Sequence, residues 1–150
     1  MMFGPVASFP PSFNRNGVIL LKLAAVYLIA GLGLGLFMAM TGDVDLRPVH
    51  THANLLGWVT MGLSGLIYCA FPHLGETRMA AVHVGLHAYG LPVMLIALAL
   101  YSLGHTEAEP FLGVAAIVTT AGLLMFALNL WRGITAPSSG AAPESAETPI

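Results

Sequence analysis

The sequence predicts an all-α membrane protein: a four-transmembrane-helix bundle with its N and C termini cytoplasmic. Composition is the first reason. Apolar residues make up 57% of the chain and charged residues 8%, whereas a soluble domain keeps about a quarter of its residues charged. The second is a mean hydropathy of +0.82. The third is pattern: the few charges fall between four long apolar runs, each close to the ~20 residues needed to cross ~30 Å of hydrocarbon. The chain's 150 residues amount to one domain.

The first run covers 17–40. The residues before it, 1–16, read as an N-terminal cytoplasmic segment. They are not read as a signal peptide, because the apolar run is too long for an h-region and TGDVD after it is not a small-residue cleavage site. The second run covers 48–71, the third 79–103 and the fourth 110–131. The joints are short and polar: TGDVDLR, PHLGETR and GHTEAE. Pro48 and Pro110 stand where a helix accepts proline, in its first turn. The transmembrane domain is thus 17–132. The remainder, 133–150, is rich in Pro, Ser, Ala and Glu and is expected to be a disordered cytoplasmic tail.

Orientation follows from the basic residues. Arg15, Lys22, Arg78 and Arg132 fall on one side and only Arg47 on the other, which puts both termini inside. Lys22 lies one turn into its helix and can snorkel back to the interface. Net charge is −2 with no basic patch, so the expected surroundings are the lipid bilayer and no nucleic acid. The single Cys69 excludes an internal disulfide and a Cys-rich metal site. Gly31, Gly33 and Gly35 on the first helix, with Gly57, Gly62 and Gly65 on the second, suit close helix packing, and they also suit a flat macrocycle laid against backbone.

Of six histidines, His50, His52, His83 and His87 lie within the spans. Ionisable side chains in a membrane are costly and mark function by default. Neutral imidazole binds iron, copper or zinc without carrying a charge into hydrocarbon. The apolar runs contain no Asp or Glu, which argues against a carboxylate-bridged metal pair and against a proton pump built on buried acids. At about 100° per residue, His83 and His87 share one face, a turn apart, and could bind one ion or line one wall of a cavity. His50 and His52 diverge by about 200° on the same geometry and serve different neighbours. The second and third helices run antiparallel about a turn centred near Gly75, so His50 and His87 differ in depth by on the order of 18 Å. That separates the two pairs and disfavours a haem clamped between those helices of one chain.

The second helix reads LRPVHTHANLLGWVTMGLSGLIYCAFP. This resembles the second helix of subunit I of the haem–copper oxidase superfamily, which includes the nitric oxide reductases. There, Arg-Pro-x-His-Thr or His-Thr-Asn-Leu-Leu supplies an axial ligand to low-spin haem. It is still more similar to short, four-helix, subunit-I-like bacterial proteins, in which His-x-His-x-Asn-Leu-Leu-Gly-Trp is followed by a later His-x-x-x-His…Gly-Leu-Pro. That later pattern is VHVGLHAYGLPVM here, and the resemblance covers roughly residues 46–100. It implies haem b, with His50 as ligand by the first pattern and His52 by the second, in a bacterial inner (cytoplasmic) membrane. The large subunit arranges twelve helices as three arcs of four, so a single arc carrying His-x-His implies a homotrimer. His50 of one chain and His52 of its neighbour would then meet at each haem iron, with Arg47 beside a propionate or acting as an interfacial anchor.

The departures count equally. The adjacent His-His pair and the His-x-x-x-Tyr pair of the oxygen-reducing site are missing, as are carboxylate-lined channels. Oxygen reduction and proton pumping are not supported. His83 and His87 are read either as a second metal site or as a polar cluster with Tyr89 and Asn129. His73 and His105 fall in joints and are expected to be solvated. Tyr101 and Trp131 read as interfacial aromatics, while Trp58 and Tyr68 stay open as haem neighbours. The leading expectation is a haem b protein in electron transfer, haem handling or redox sensing, with an unidentified redox partner. The alternatives are a copper or zinc binding or trafficking protein, and a non-catalytic assembly subunit.

Overall fold

The computed structural model describes residues 14–134. The tail from residue 135 and most of the N-terminal segment, with the expectation of disorder in that tail, lie outside the described residues. The described chain is helical without strands, and four of its helices are long and apolar enough to cross a membrane.

Helix α1 is Arg15–Thr41. Asn14 caps it, its side-chain oxygen accepting from the Gly17 N–H at 3.2 Å, which satisfies one of the open amides at a helix start. It stops at Gly42, whose φ of 72° lets its N–H close onto the Met38 carbonyl; a residue with a Cβ takes that left-handed conformation only with strain. Helix α2 runs Arg47–Ala70 with Pro48 in its first turn. A single turn, Pro72–Gly75, leads to α3, Arg78–Ser102, capped by Thr77 through a 3.0 Å bond from the Ala80 N–H. A 3₁₀ turn, Thr106–Ala108, leads to α4, Glu109–Gly133.

The ends refine the expected spans. Residues 15 and 16 already belong to α1, and Asn16 donates to the Gly75 carbonyl at 2.8 Å. Asn14 is buried against Gly75. The start of α1 is therefore tied to the α2–α3 connection rather than free of it. At the other end Gly133 is still helical.

Packing proceeds by antiparallel neighbours. Along α1 and α2, Gly17 meets Gly65 and Cys69, Ala24 meets Gly62, Tyr27 meets Gly57, Gly31 meets Asn54, and Gly35 meets His50. Glycine at these positions is a matter of space: a Cβ on Gly17 would stand 2.8 Å from the Gly65 carbonyl oxygen. Small residues bring backbones close where lipid offers no hydrophobic drive to associate. Helices α3 and α4 pack the same way, with Gly90 against Thr119 and Gly122 against the His87 backbone. Large apolar residues such as Ile29, Met40, Phe111, Ile117 and Trp131 are exposed, as a lipid-facing surface requires.

The centre of α2 departs from a regular α-helix: Ala53–Thr60 is π-helical. Side chains there compete for backbone groups. Asn54 donates to the His50 carbonyl at 2.8 Å, and the Thr60 hydroxyl donates to the Leu55 carbonyl at 2.6 Å. Such local bonds loosen the i→i−4 ladder, and π-helical turns collect at functional positions.

Candidate functional site

The two histidine pairs occupy different places. His50 and His52 lie in the first turns of α2 at the end of the bundle that also carries Arg47, which is exposed. His83 and His87 lie inside the bundle on α3 and are both 0% exposed.

His50 turns toward α1. Its Nδ1 lies 2.9 Å from the Gly31 carbonyl oxygen, which can only accept, so Nδ1 carries the proton and donates. The ring reaches that carbonyl because Gly35 has no side chain; a Cβ there would sit 2.9 Å from Cε1. Asn54, one turn on, packs against Gly31 and donates to the His50 carbonyl. His52 turns the other way and is exposed. Its Nδ1 donates to the Pro48 carbonyl at 2.8 Å. The divergence expected from their spacing is present, with a feature that spacing does not contain. In each ring a backbone carbonyl holds Nδ1–H, leaving Nε2 as the unprotonated nitrogen. A carbonyl or carboxylate on the far nitrogen is how proteins fix the tautomer and aim of a metal-ligating imidazole.

His83 and His87 share a face as expected, but they bond to one another. His87 Nδ1 lies 3.3 Å from His83 Nε2, so the two rings form a line and do not converge on a common point. The line continues to Tyr68, whose hydroxyl is 3.1 Å from His83 Nδ1. Phe126 packs against both Tyr68 and His83. At the opposite end His87 Nε2 is buried with no hydrogen-bond partner among the described residues.

This corrects the expected composition of the cluster. Tyr89 is 80% exposed and faces away. Asn129 is buried beside Tyr68, at the edge of the cluster, and also serves the α2–α3 connection, donating to the Leu74 carbonyl at 2.9 Å and accepting from the Thr77 hydroxyl at 3.0 Å. The partner is Tyr68, on a different helix. A signal for it exists in the sequence: folding the chain back about Gly75 sets His83 opposite residue 67 or 68.

The remaining candidates are peripheral. His73 is exposed and 3.3 Å from the Gly133 carbonyl, and His105 is exposed beside Glu107, also at 3.3 Å. Trp58 and Tyr101 are exposed, and Trp131 is 87% exposed. Cys69 is half-buried against Gly17. No group of three or more His, Cys, Asp or Glu side chains converges among the described residues. Comparison with protein-family models, with curated proteins and with solved structures finds no match to this chain.

Proposed function

We propose that this chain is a haem b-binding protein of the bacterial cytoplasmic membrane, with both termini inside, in which His50 of one chain and His52 of a neighbour ligate each iron within a homotrimer. One observation carries the reading: both imidazoles have Nδ1–H tied to a backbone carbonyl, at 2.9 and 2.8 Å, and present Nε2 in diverging directions. Two such nitrogens on one chain cannot share an iron, but they can serve two irons between three chains. The residues suit the group. Neutral imidazoles bring no charge into the membrane, and Gly35 makes room for the His50 ring while Gly31 makes room for Asn54 beside it. Arg47, exposed at the head of α2, is the cation available to a propionate.

When bound, haem supplies one-electron chemistry, and two imidazole ligands leave no open coordination position for oxygen. The role is therefore electron transfer, haem handling or redox sensing. The test is the spectrum of the purified full-length protein. A Soret band with sharp α and β bands on reduction, lost in the His50→Ala/His52→Ala double variant, supports the assignment. A colourless preparation carrying copper or zinc, or haem retained by the double variant, overturns it.

A further inference from the structure

The face that α3 and α4 turn to lipid is not flat. Between the two helices lies a recess of about 370 Å³, walled by Val93, Ile96 and Leu100 of α3 and Phe111 of α4. A second recess of about 440 Å³ continues it as far as Tyr89, with Val93 and Phe111 common to both. Together they make one apolar groove. Val93, Ile96 and Phe111 are all exposed, so no other part of the described chain covers it. From Leu100 to Tyr89 the groove is about 16 Å long, at ~1.5 Å rise per residue. Half of a hydrocarbon core of ~30 Å is about 15 Å. Tyr89 stands near the middle of α3, so the groove runs from one end of the bundle to mid-membrane, the depth of a single leaflet.

The groove is polar only at its mouth. His105 and Glu107 line it there, with the ring Nδ1 3.3 Å from a carboxylate oxygen. Both side chains are exposed, so the carboxylate is open to a further partner. The same end of the bundle carries Asp43, Asp45 and Glu109, against Arg47 as the basic residue. Charges a few Å apart at a protein surface interact through an intermediate dielectric. The mouth therefore attracts a cationic group and repels a headgroup whose charge is a phosphate alone.

We infer that the α3–α4 groove is a binding site for one phospholipid with a primary-amine headgroup, of the phosphatidylethanolamine kind. One acyl chain lies along Val93, Ile96, Leu100 and Phe111 and ends near Tyr89. The ammonium donates to the Glu107 carboxylate beside His105. Length selects a lipid: a compact ligand fills one recess, whereas a chain one leaflet long fills both. Charge selects the head, since an ammonium meets the acidic mouth and a glycerol head offers it no cation.

The test starts from full-length protein in vesicles of equal phosphatidylethanolamine and phosphatidylglycerol with matched acyl chains. The protein is extracted into mild detergent and weighed by native mass spectrometry. The expected result is one retained phospholipid per chain, with the ethanolamine lipid ahead by about two- to fivefold, the range of an exposed ion pair. Glu107→Gln should keep the lipid and bring that ratio to about one, because it removes the carboxylate and leaves the groove. Val93→Trp fills the groove and should lose both lipids. Equal retention by the wild type, a preference for the glycerol lipid, a bound quinone, or no retained lipid would each overturn the inference. So would an unchanged ratio in Glu107→Gln. Val93→Trp that keeps its lipid, or that instead changes the number of chains per complex, also overturns it, the latter by giving the groove to a second copy. If that variant does not fold, the wild-type and Glu107→Gln ratios still decide. The mass of the bound lipid is read with or without haem, so a failure of the haem assignment leaves the result intact.

Discussion

The outer and inner histidine pairs are built from the same residue type at different spacings, and the structure uses them in opposite ways. His50 and His52 are each tied to a backbone carbonyl of a helix and diverge, so neither depends on the other. His83 and His87 are tied to each other and to Tyr68, so neither can be moved without the other. What separates them is two residues against four along a helix, and whether glycine or a phenol stands opposite. An imidazole facing a glycine-exposed carbonyl has its Nδ1–H tied down and its Nε2 left unprotonated. An imidazole facing a phenol becomes a link in a chain.

The largest expected effect lies at the outer pair. His50→Ala and His52→Ala expressed separately should each lose six-coordinate haem, and co-expression of the two variants should restore part of it. Interfaces that join an intact His50 to an intact His52 would be complete again. Absence of any recovery in the mixed sample, read from the reduced absorption spectrum, would remove the cross-chain arrangement. Next in size is Gly57→Ala. Its new methyl would overlap the Tyr27 ring across α1 and α2, and overpacking of that kind costs about 1–3 kcal/mol. Unfolding in detergent should show the loss, whereas Gly33→Ala, at a position with open space, should not.

Tyr68→Phe sharpens the inner half of the comparison. It leaves His83 Nδ1 buried without its donor, at a cost of about 1–2 kcal/mol within a membrane bundle, and it should leave the haem spectrum unchanged. Thr77→Ala removes the α3 cap and the bond to Asn129 together. A lost cap is worth about 1 kcal/mol, seen as a lower midpoint of thermal unfolding. Smallest is Tyr89→Phe, on the lipid-facing side of α3, expected within about 0.5 kcal/mol of wild type. A large effect there would return Tyr89 to the inner cluster.

Much of the fold was legible because each device is local. Twenty apolar residues, a proline in a first turn and a polar joint act at one place in the chain, and the four spans stand within a few residues of where composition puts them. The π-helical centre of α2 was not legible. It depends on Asn54 and Thr60 spending their side chains on nearby carbonyls, and those residues in a regular helix would look the same in sequence. The attachment of Asn14 and Asn16 to Gly75 was missed for a related reason, since their partner is about sixty residues away. Tyr89 stands two residues from His87 in the sequence and yet is 80% exposed. Depth arithmetic across the α2–α3 turn, already used to separate the pairs, points to Tyr68 instead.

By itself, then, the sequence determined the solvent, the number of spans and the angular relation within each histidine pair. These follow from hydropathy and from the fixed 100° step of a helix. Only the tertiary structure decided what the His50 and His83 rings meet across the bundle. That depends on what the neighbouring helix presents: the Gly31 carbonyl bared by Gly35 at His50, and the Tyr68 hydroxyl at His83. A helix fixes where its own side chains emerge, but the atoms they meet belong to another part of the chain.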